Sequence, residues 1–328
     1  MSRAVMYRMG LFFPKNIIYN LAMNLIEAFE KTSPDKIIET IISKVFFHGE
    51  KVFKVYKYEK FFFGDFGDPE FRKNFYKEDF GWNQKMAPEV YLALREVKKG
   101  GQEDFYIEMK KFDDEKCLTN LLERKQLSKQ DIEKNITEMI CRLGGLTQEK
   151  RTAGAYNFNQ KLSDIHLADL ESDRSLLYLI PEFISKDKTD SIINLLKNIS
   201  INHEYFKNYN PERFSLLVDN HADNIVFLDG KVQFIDVLPP KESWRVGDFC
   251  FTASRLATDV AVMMSEKEAE IIYEKCKDVF PAIPEDVKNI YEVRSAAIQM
   301  WRLFSTGKPE TAQKYLDFID RKVSVLSS

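Results

Sequence analysis

The hydrophobic pattern of this chain changes period near residue 112. Before that point, 37–112 reads mostly as strands. The run ETIISKVFFHGEKVFKVYKYEK (39–60) is β-branched and aromatic on either side of His48-Gly49-Glu50, which predicts two strands around a tight turn. DFYIEMKKF (104–112) predicts another strand after Gly100-Gly101. Between them Phe71, Phe75, Asp79, Trp82 and Met86 recur at helical spacing, so 70–86 predicts one helix inserted in a small sheet and limited by Pro88. From Asp113 the texture is helical, through 114–128, a helix starting at a Ser128 cap, and 187–208. NIVFLDG and KVQFID then interrupt it with a hairpin over 225–235, turned at Asp229-Gly230. From Gly247 to the end the spacing is helical again, broken around Pro281 and Pro284. The chain shows no internal repeat. The pattern predicts an α+β protein with a helical extension at 1–36, a small sheet lobe at 37–112 and a larger helical lobe at 113–328.

Composition narrows the function. At 328 residues the chain can bury a sizeable core, and 44% apolar with 30% charged residues is ordinary for a globular protein. A net charge of −3 offers no basic footprint, so no nucleic-acid partner is expected. Cys117, Cys141, Cys250 and Cys276 are scattered, which argues against a zinc site or a disulfide framework and fits a reducing, cytoplasmic compartment. No apolar run approaches the length of a membrane span, and no membrane partner is expected. The N-terminal thirty residues carry Arg3, Arg8 and Lys15 and no acid before Glu27, a pattern shared with targeting segments and read here as an amphipathic first helix.

One stretch concentrates the chemistry. LLVDNHADNIVFLDGKVQFID (216–236) holds Asp219, Asn220, His221, Asp223, Asn224, Asp229 and Asp236 within strand-like apolar sequence. Asp223 and Asp229 read as turn residues. Asp219, Asn224 and Asp236 are different. A loop Asp, an Asn five residues on and an Asp ending the next hairpin strand converge if the hairpin returns Asp236 beside Asn224. Phosphoryl transfer needs positioning, charge neutralisation by Mg²⁺ and one residue to orient the attacking hydroxyl. Mg²⁺ takes oxygen ligands, a carboxylate or amide completed by phosphates and water. The set therefore predicts Asp219 as the catalytic base and Asn224 and Asp236 as metal ligands.

The stretch resembles the catalytic and metal loops of the aminoglycoside phosphotransferase family, within the protein-kinase-like fold. The family form H-G-D-x-H-x-x-N, then strand-turn-strand and I-D, is matched here by L-V-D-N-H-A-D-N and I-D. WRVGDFCFTASRLA (244–257) resembles the family's G-D-x-x-x-D/S-L-A element. IETIISKVFFHGEKVFKVYK resembles its first strands, and YKEDFGWNQKMAPEVYL (76–92) and YIEMKKFDDEKCLTNLL (106–122) resemble an uncharacterised bacterial branch. The likeness covers roughly 37–260. Three departures are visible: Leu217 stands for the first histidine, Ala222-Asp223 replaces Pro-Gly, and no glycine-rich loop precedes Lys54.

The resemblance implies a two-lobed kinase-like fold, with an antiparallel-sheet N-lobe bearing one helix and a larger helical C-lobe. It implies an ATP- and Mg²⁺-dependent phosphotransferase acting on a hydroxyl of an unidentified small molecule. Lys54 takes the position of the phosphate-holding lysine, paired with Asp79 or, as the neighbouring alternative, Glu78. Thr40 and Ser43 hydroxyls stand where the glycine loop would cover phosphates. Backbone groups of Glu108, Met109 and Lys110 would meet the adenine. His221 is a structural loop histidine, and Asp248 the buried acid bracing the catalytic loop. Tyr291, Arg294 and Trp301 lie in the C-terminal helices that usually shape the acceptor site. The alternatives are a degenerate kinase-fold module that binds nucleotide for regulation, or a protein kinase; Asp236 and Asp248 are only a dozen positions apart, short for a peptide-docking segment.

Overall fold

The protein is described by a computed structural model covering residues 24–61, 63–99, 102–158, 160–207, 213–280 and 282–328. Residues up to 84 with 88–111 form one compact unit, and 85–87 with 112–328 form the other. The turn at Gly100-Gly101 and residues 1–23 of the expected extension lie outside the described residues.

The first unit opens with helix α1 (Leu25–Glu30), whose N-cap Asn24 accepts a hydrogen bond from Glu27 N. A five-stranded antiparallel sheet follows: β1 (Lys36–Glu39), β2 (Ser43–His48), β3 (Lys51–Tyr56), then β7 (Gln102–Lys110) and β6 (Tyr91–Lys99) in that spatial order. A two-stranded hairpin, β4 (Lys60–Phe61) and β5 (Gly64–Asp65), leads into helix α2 (Pro69–Met86). β2 and β3 pair from Ser43↔Tyr56 to His48↔Lys51, placing the predicted turn at Gly49-Glu50. Successive strand side chains point to opposite faces. Phe53 and Val55 of β3 thus join Phe46, Val97 and Tyr106 in a cluster that buries Leu25 and Phe29 of α1. Lys54 and Tyr56 take the other face, toward α2. Residues 24–30, expected within an extension, are therefore part of the sheet's core, because Phe29 is wholly buried against Phe46, Phe53 and Tyr106.

The second unit is helical: α3 (Leu118–Glu123), α4 (Lys129–Thr152), α5 (Leu162–Leu177), α6 (Lys186–Asn202) and α7 (Glu204–Lys207) precede four short strands. These are β8 (Phe214–Leu216), β9 (Ile225–Leu228), β10 (Lys231–Phe234) and β11 (Val246–Asp248), followed by α8 (Phe249–Met263), α9 (Glu266–Cys276), α10 (Glu285–Ser305) and α11 (Pro309–Leu326). Ser128 caps α4 in a reciprocal capping box with Asp131. β9 and β10 form the expected hairpin, with positive φ at both Asp229 and Gly230, as a primed two-residue turn requires. β8 pairs with β11 from Val246↔Leu216 to Asp248↔Phe214, so two hairpin-like pairs frame the loop 217–224.

Candidate active site

The loop between β8 and β9 is assembled from backbone outward. Leu217 N donates to Arg245 O (2.8 Å) and Asp219 N to Val237 O (2.9 Å), which ties the loop to the chain leaving β10. Leu217 is buried and packs on Gly247, where an added Cβ would lie 2.9 Å from Leu217 Cδ1. An apolar contact thus occupies the place of the family's first histidine. Residues 222–224 make one 3₁₀ turn, and Ile235 N donates to Asn224 O (2.8 Å).

Asn224 is the junction of the site. Its Nδ2 donates to Asp219 O (2.7 Å) and to Asp236 O (3.3 Å), so the three residues singled out in the sequence are gathered around one amide. Asp236 has φ +53, a left-handed conformation an aspartate tolerates but rarely adopts. That kink turns the chain immediately after the hairpin.

Three charged residues that the sequence reading did not assign, Arg255, Asp259 and Arg302, surround this loop. Arg255 of α8, 3% exposed, donates from Nη2 to Asp219 Oδ1 (2.5 Å). Asp259, one turn further along α8, accepts from Ala222 N at Oδ2 (2.6 Å) and from the Tyr315 hydroxyl at Oδ1 (2.6 Å). Asp223 accepts from Thr119 Oγ1 (2.5 Å) and pairs with Arg302 of α10. His221 is buried, with Nε2 3.8 Å from Asp219 and Nδ1 3.9 Å from Asp223. The signal for Arg255 and Asp259 was present: two charges inside the apolar run FCFTASRLATDVAVM must find partners if that helix is buried.

The charges shift one another. Burial pushes the Asp219 carboxyl up, but Arg255, with His221 and Arg302, holds it below its usual range. The same balance, dominated on the lowering side by Arg302, keeps Asp223 well below ordinary carboxylates. Burial and then Arg302 pull His221 down to about 4, so it is neutral at pH 7.

Asp248 departs from expectation. Its Oδ1 accepts from Cys250 N, capping α8, and its Oδ2 accepts from the Tyr205 (2.7 Å) and Tyr291 (3.2 Å) hydroxyls. The acid that bonds the loop backbone is Asp259. Tyr291 is buried by this bond, and Arg294 is buried against Asp169 (3.2 Å) and Asp173 (2.7 Å), so both serve the core, while Trp301 is partly exposed.

In the sheet unit, Lys54 Nζ lies 3.6 Å from Asp79 Oδ2, both side chains almost fully buried. Asp79, the acid favoured in the sequence, thus stands beside Lys54. It is held by the Tyr56 hydroxyl (2.6 Å) and Asn83 Nδ2 (2.8 Å). The other nucleotide-facing expectations change. Thr40 and Ser43 close the β1–β2 turn on themselves: the hydroxyls are 2.8 Å apart, Ser43 N donates to Thr40 Oγ1, and Ser43 is wholly buried. These hydroxyls staple a turn and do not line a phosphate loop. Glu108 and Met109 pair with β3 and β6 on both sides, Lys110 N donates to Val90 O, and Lys111 N to Glu50 O. The Glu108 carboxylate is held by Lys51 (2.7 Å) and Arg95 (2.8 Å). Glu108 and Met109, paired on both sides within a central strand, do not offer the expected adenine contact, while Lys110 stands at the strand's end.

No family model matches the chain, and no curated protein matches it. Solved structures do share its architecture. The GDP and kanamycin complex of APH(2")-IIia aligns with a TM-score of 0.53 at 9% identity, over 89% of this chain and 94% of that one. A GDP complex of a mutant aminoglycoside 2'-phosphotransferase IIIa gives 0.54 at 10% identity, over 90% and 94%. The apo form of a thermostable mutant of the aminoglycoside phosphotransferase APH(4)-Ia gives 0.52 at 11% identity, over 90% and 96%. The chain therefore has the fold of the aminoglycoside phosphotransferases: α+β and protein-kinase-like, with a small antiparallel-sheet lobe and a larger helical lobe.

Proposed function

We propose that this protein is a phosphotransferase that moves the γ-phosphoryl group of ATP, with Mg²⁺, to a hydroxyl of a small molecule. The observation that carries this reading is the Asn224 amide bonded to the carbonyls of both Asp219 and Asp236, which fixes a carboxamide and two carboxylates in one loop system. Asp219 is the residue that orients the acceptor hydroxyl and receives its proton. The donor set suits a hard cation: Asn224 and Asp236 offer oxygen, and the Asn224 nitrogen is already committed to carbonyls. Mg²⁺, when bound, neutralises phosphate charge. Lys54, set by Asp79, serves the nucleotide phosphates. The acceptor is a small molecule; fold alone does not choose it. Among the described residues no helix is long and apolar enough to cross a membrane, and the four cysteines are free, which fits the cytoplasm.

The test is thermal unfolding with and without Mg²⁺–ATP, for wild type and Asp236→Ala. Nucleotide at a hundred times its dissociation constant adds about 2.7 kcal/mol, a shift of a few degrees. The expected shift needs Mg²⁺ and disappears in Asp236→Ala. Asp219→Asn keeps the shift and loses transfer; unchanged turnover overturns the base assignment. One observation favours a nucleotide-binding regulatory module instead: the closed Thr40–Ser43 turn. That reading predicts a shift independent of Mg²⁺ and no transfer to any acceptor.

A further inference from the structure

Helix α8 grips the 219–222 loop along a single stripe. Thr252, Arg255 and Asp259 are spaced i, i+3, i+7, so they share one face. Thr252 O accepts from Asn220 Nδ2 (3.0 Å), Arg255 Nη2 donates to Asp219 Oδ1 (2.5 Å), and Asp259 Oδ2 accepts from Ala222 N (2.6 Å). Arg255 and Asp259 are 3% and 1% exposed. Each is fixed from behind as well: Arg255 Nη1 by Ser295 O (3.2 Å), Asp259 by the Tyr315 hydroxyl.

A guanidinium is a planar fork that does not deprotonate, and so fixes the orientation of a carboxylate it holds. Here it holds one oxygen of Asp219. The other, Oδ2, belongs to a side chain that is still 37% exposed, unlike the buried Arg255 behind it. A carboxylate bound to arginine is a weaker base, but phosphoryl transfer depends mainly on positioning. The contact thus sacrifices the property that matters less and fixes the one that matters more.

We infer that Arg255 is a positioning residue for the proposed base, holding Asp219 Oδ1 so that Oδ2 alone is presented to the attacking hydroxyl, with Asp259 fixing the loop one turn on. This rests on the phosphotransferase reading above.

The experiment uses the full chain and ATP with Mg²⁺, with water as the acceptor. Water oxygen bonds the γ-phosphorus, the bond from that phosphorus to the β–γ bridging oxygen breaks, ADP leaves with the electron pair, and the water proton passes to Oδ2. Arg255→Ala is expected to lower kcat about a hundredfold, the scale of a mispositioned reacting group, with KM for ATP within about twofold. Added guanidinium, below denaturing concentration, restores part of kcat. In an Asp219→Asn background, Arg255→Ala lowers kcat no further, and the melting shifts of the two substitutions are non-additive. Arg255→Ala with wild-type kcat, an equal loss in both backgrounds, or additive melting shifts would each overturn the assignment. A wild type that neither hydrolyses ATP nor shifts its melting with Mg²⁺–ATP overturns the phosphotransferase reading itself.

Discussion

Asp79 is one methylene shorter than the glutamate usual beside such a lysine, and the structure shows what supports it. The ammonium and carboxylate stop 3.6 Å apart, beyond a direct charge-assisted bond, while Tyr56 and Asn83 bond the two carboxylate oxygens. Removing the acid takes a carboxylate away from beside a buried ammonium. Asp79→Ala should therefore destabilise the protein by about 3–5 kcal/mol, read from urea midpoints. Tyr56→Phe should cost about 1–3 kcal/mol, because it strips a bond from a buried carboxylate without removing the charge pair. Lys54, Asp219, Asn224 and Asp236 could be picked out in the sequence because loop chemistry and spacing are local. Their partners could not be paired with them: Arg255 is 36 residues from Asp219, and Arg302 is 79 from Asp223. Asn83, one helical turn from Asp79, was the exception within reach.

At the level of elements, the hairpin that returns Asp236 to Asn224 depends on its turn. Asp229 and Gly230 have φ +47 and +75. Gly230→Ala places a side chain in a left-handed conformation and should cost about 1 kcal/mol, with a matching loss of Mg²⁺–ATP affinity measured by calorimetry. Long elements with clean periods, such as α2 and α4, were legible from their apolar spacing. β6 was not: Arg95, Glu96, Lys98 and Lys99 interrupt its pattern, as charges do on an edge strand. α5 escaped for a related reason, since His166, Asp169 and Asp173 occupy its buried face, where apolar residues would be expected. The Thr40–Ser43 turn looked like a phosphate cover only by its position in the chain; its hydroxyls face each other.

Across the whole molecule, buried charge gives stability a pH dependence. Asp169 and Asp173 share one guanidinium, Arg294, so one carboxylate is in excess. Burial, only partly offset by Arg294, raises Asp169 to about 6 from an ordinary 3.8. Between those values the native state binds the extra proton, so this group's contribution to stability is full below about 4 and is lost as pH rises through 6. Asp169→Asn should flatten that decline, seen in urea midpoints from pH 4 to 7; an unchanged difference between the two proteins would refute it. The Lys54–Asp79 pair has a consequence for reagents as well as for stability. An amine that is 3% exposed, beside an acid carried by α2, meets an acylating agent only when its surroundings open. Covalent labelling of Lys54 should then proceed at the rate at which α2 opens, matching deuterium uptake by the helix amides, so a single lysine becomes a clock for the motion of an entire helix.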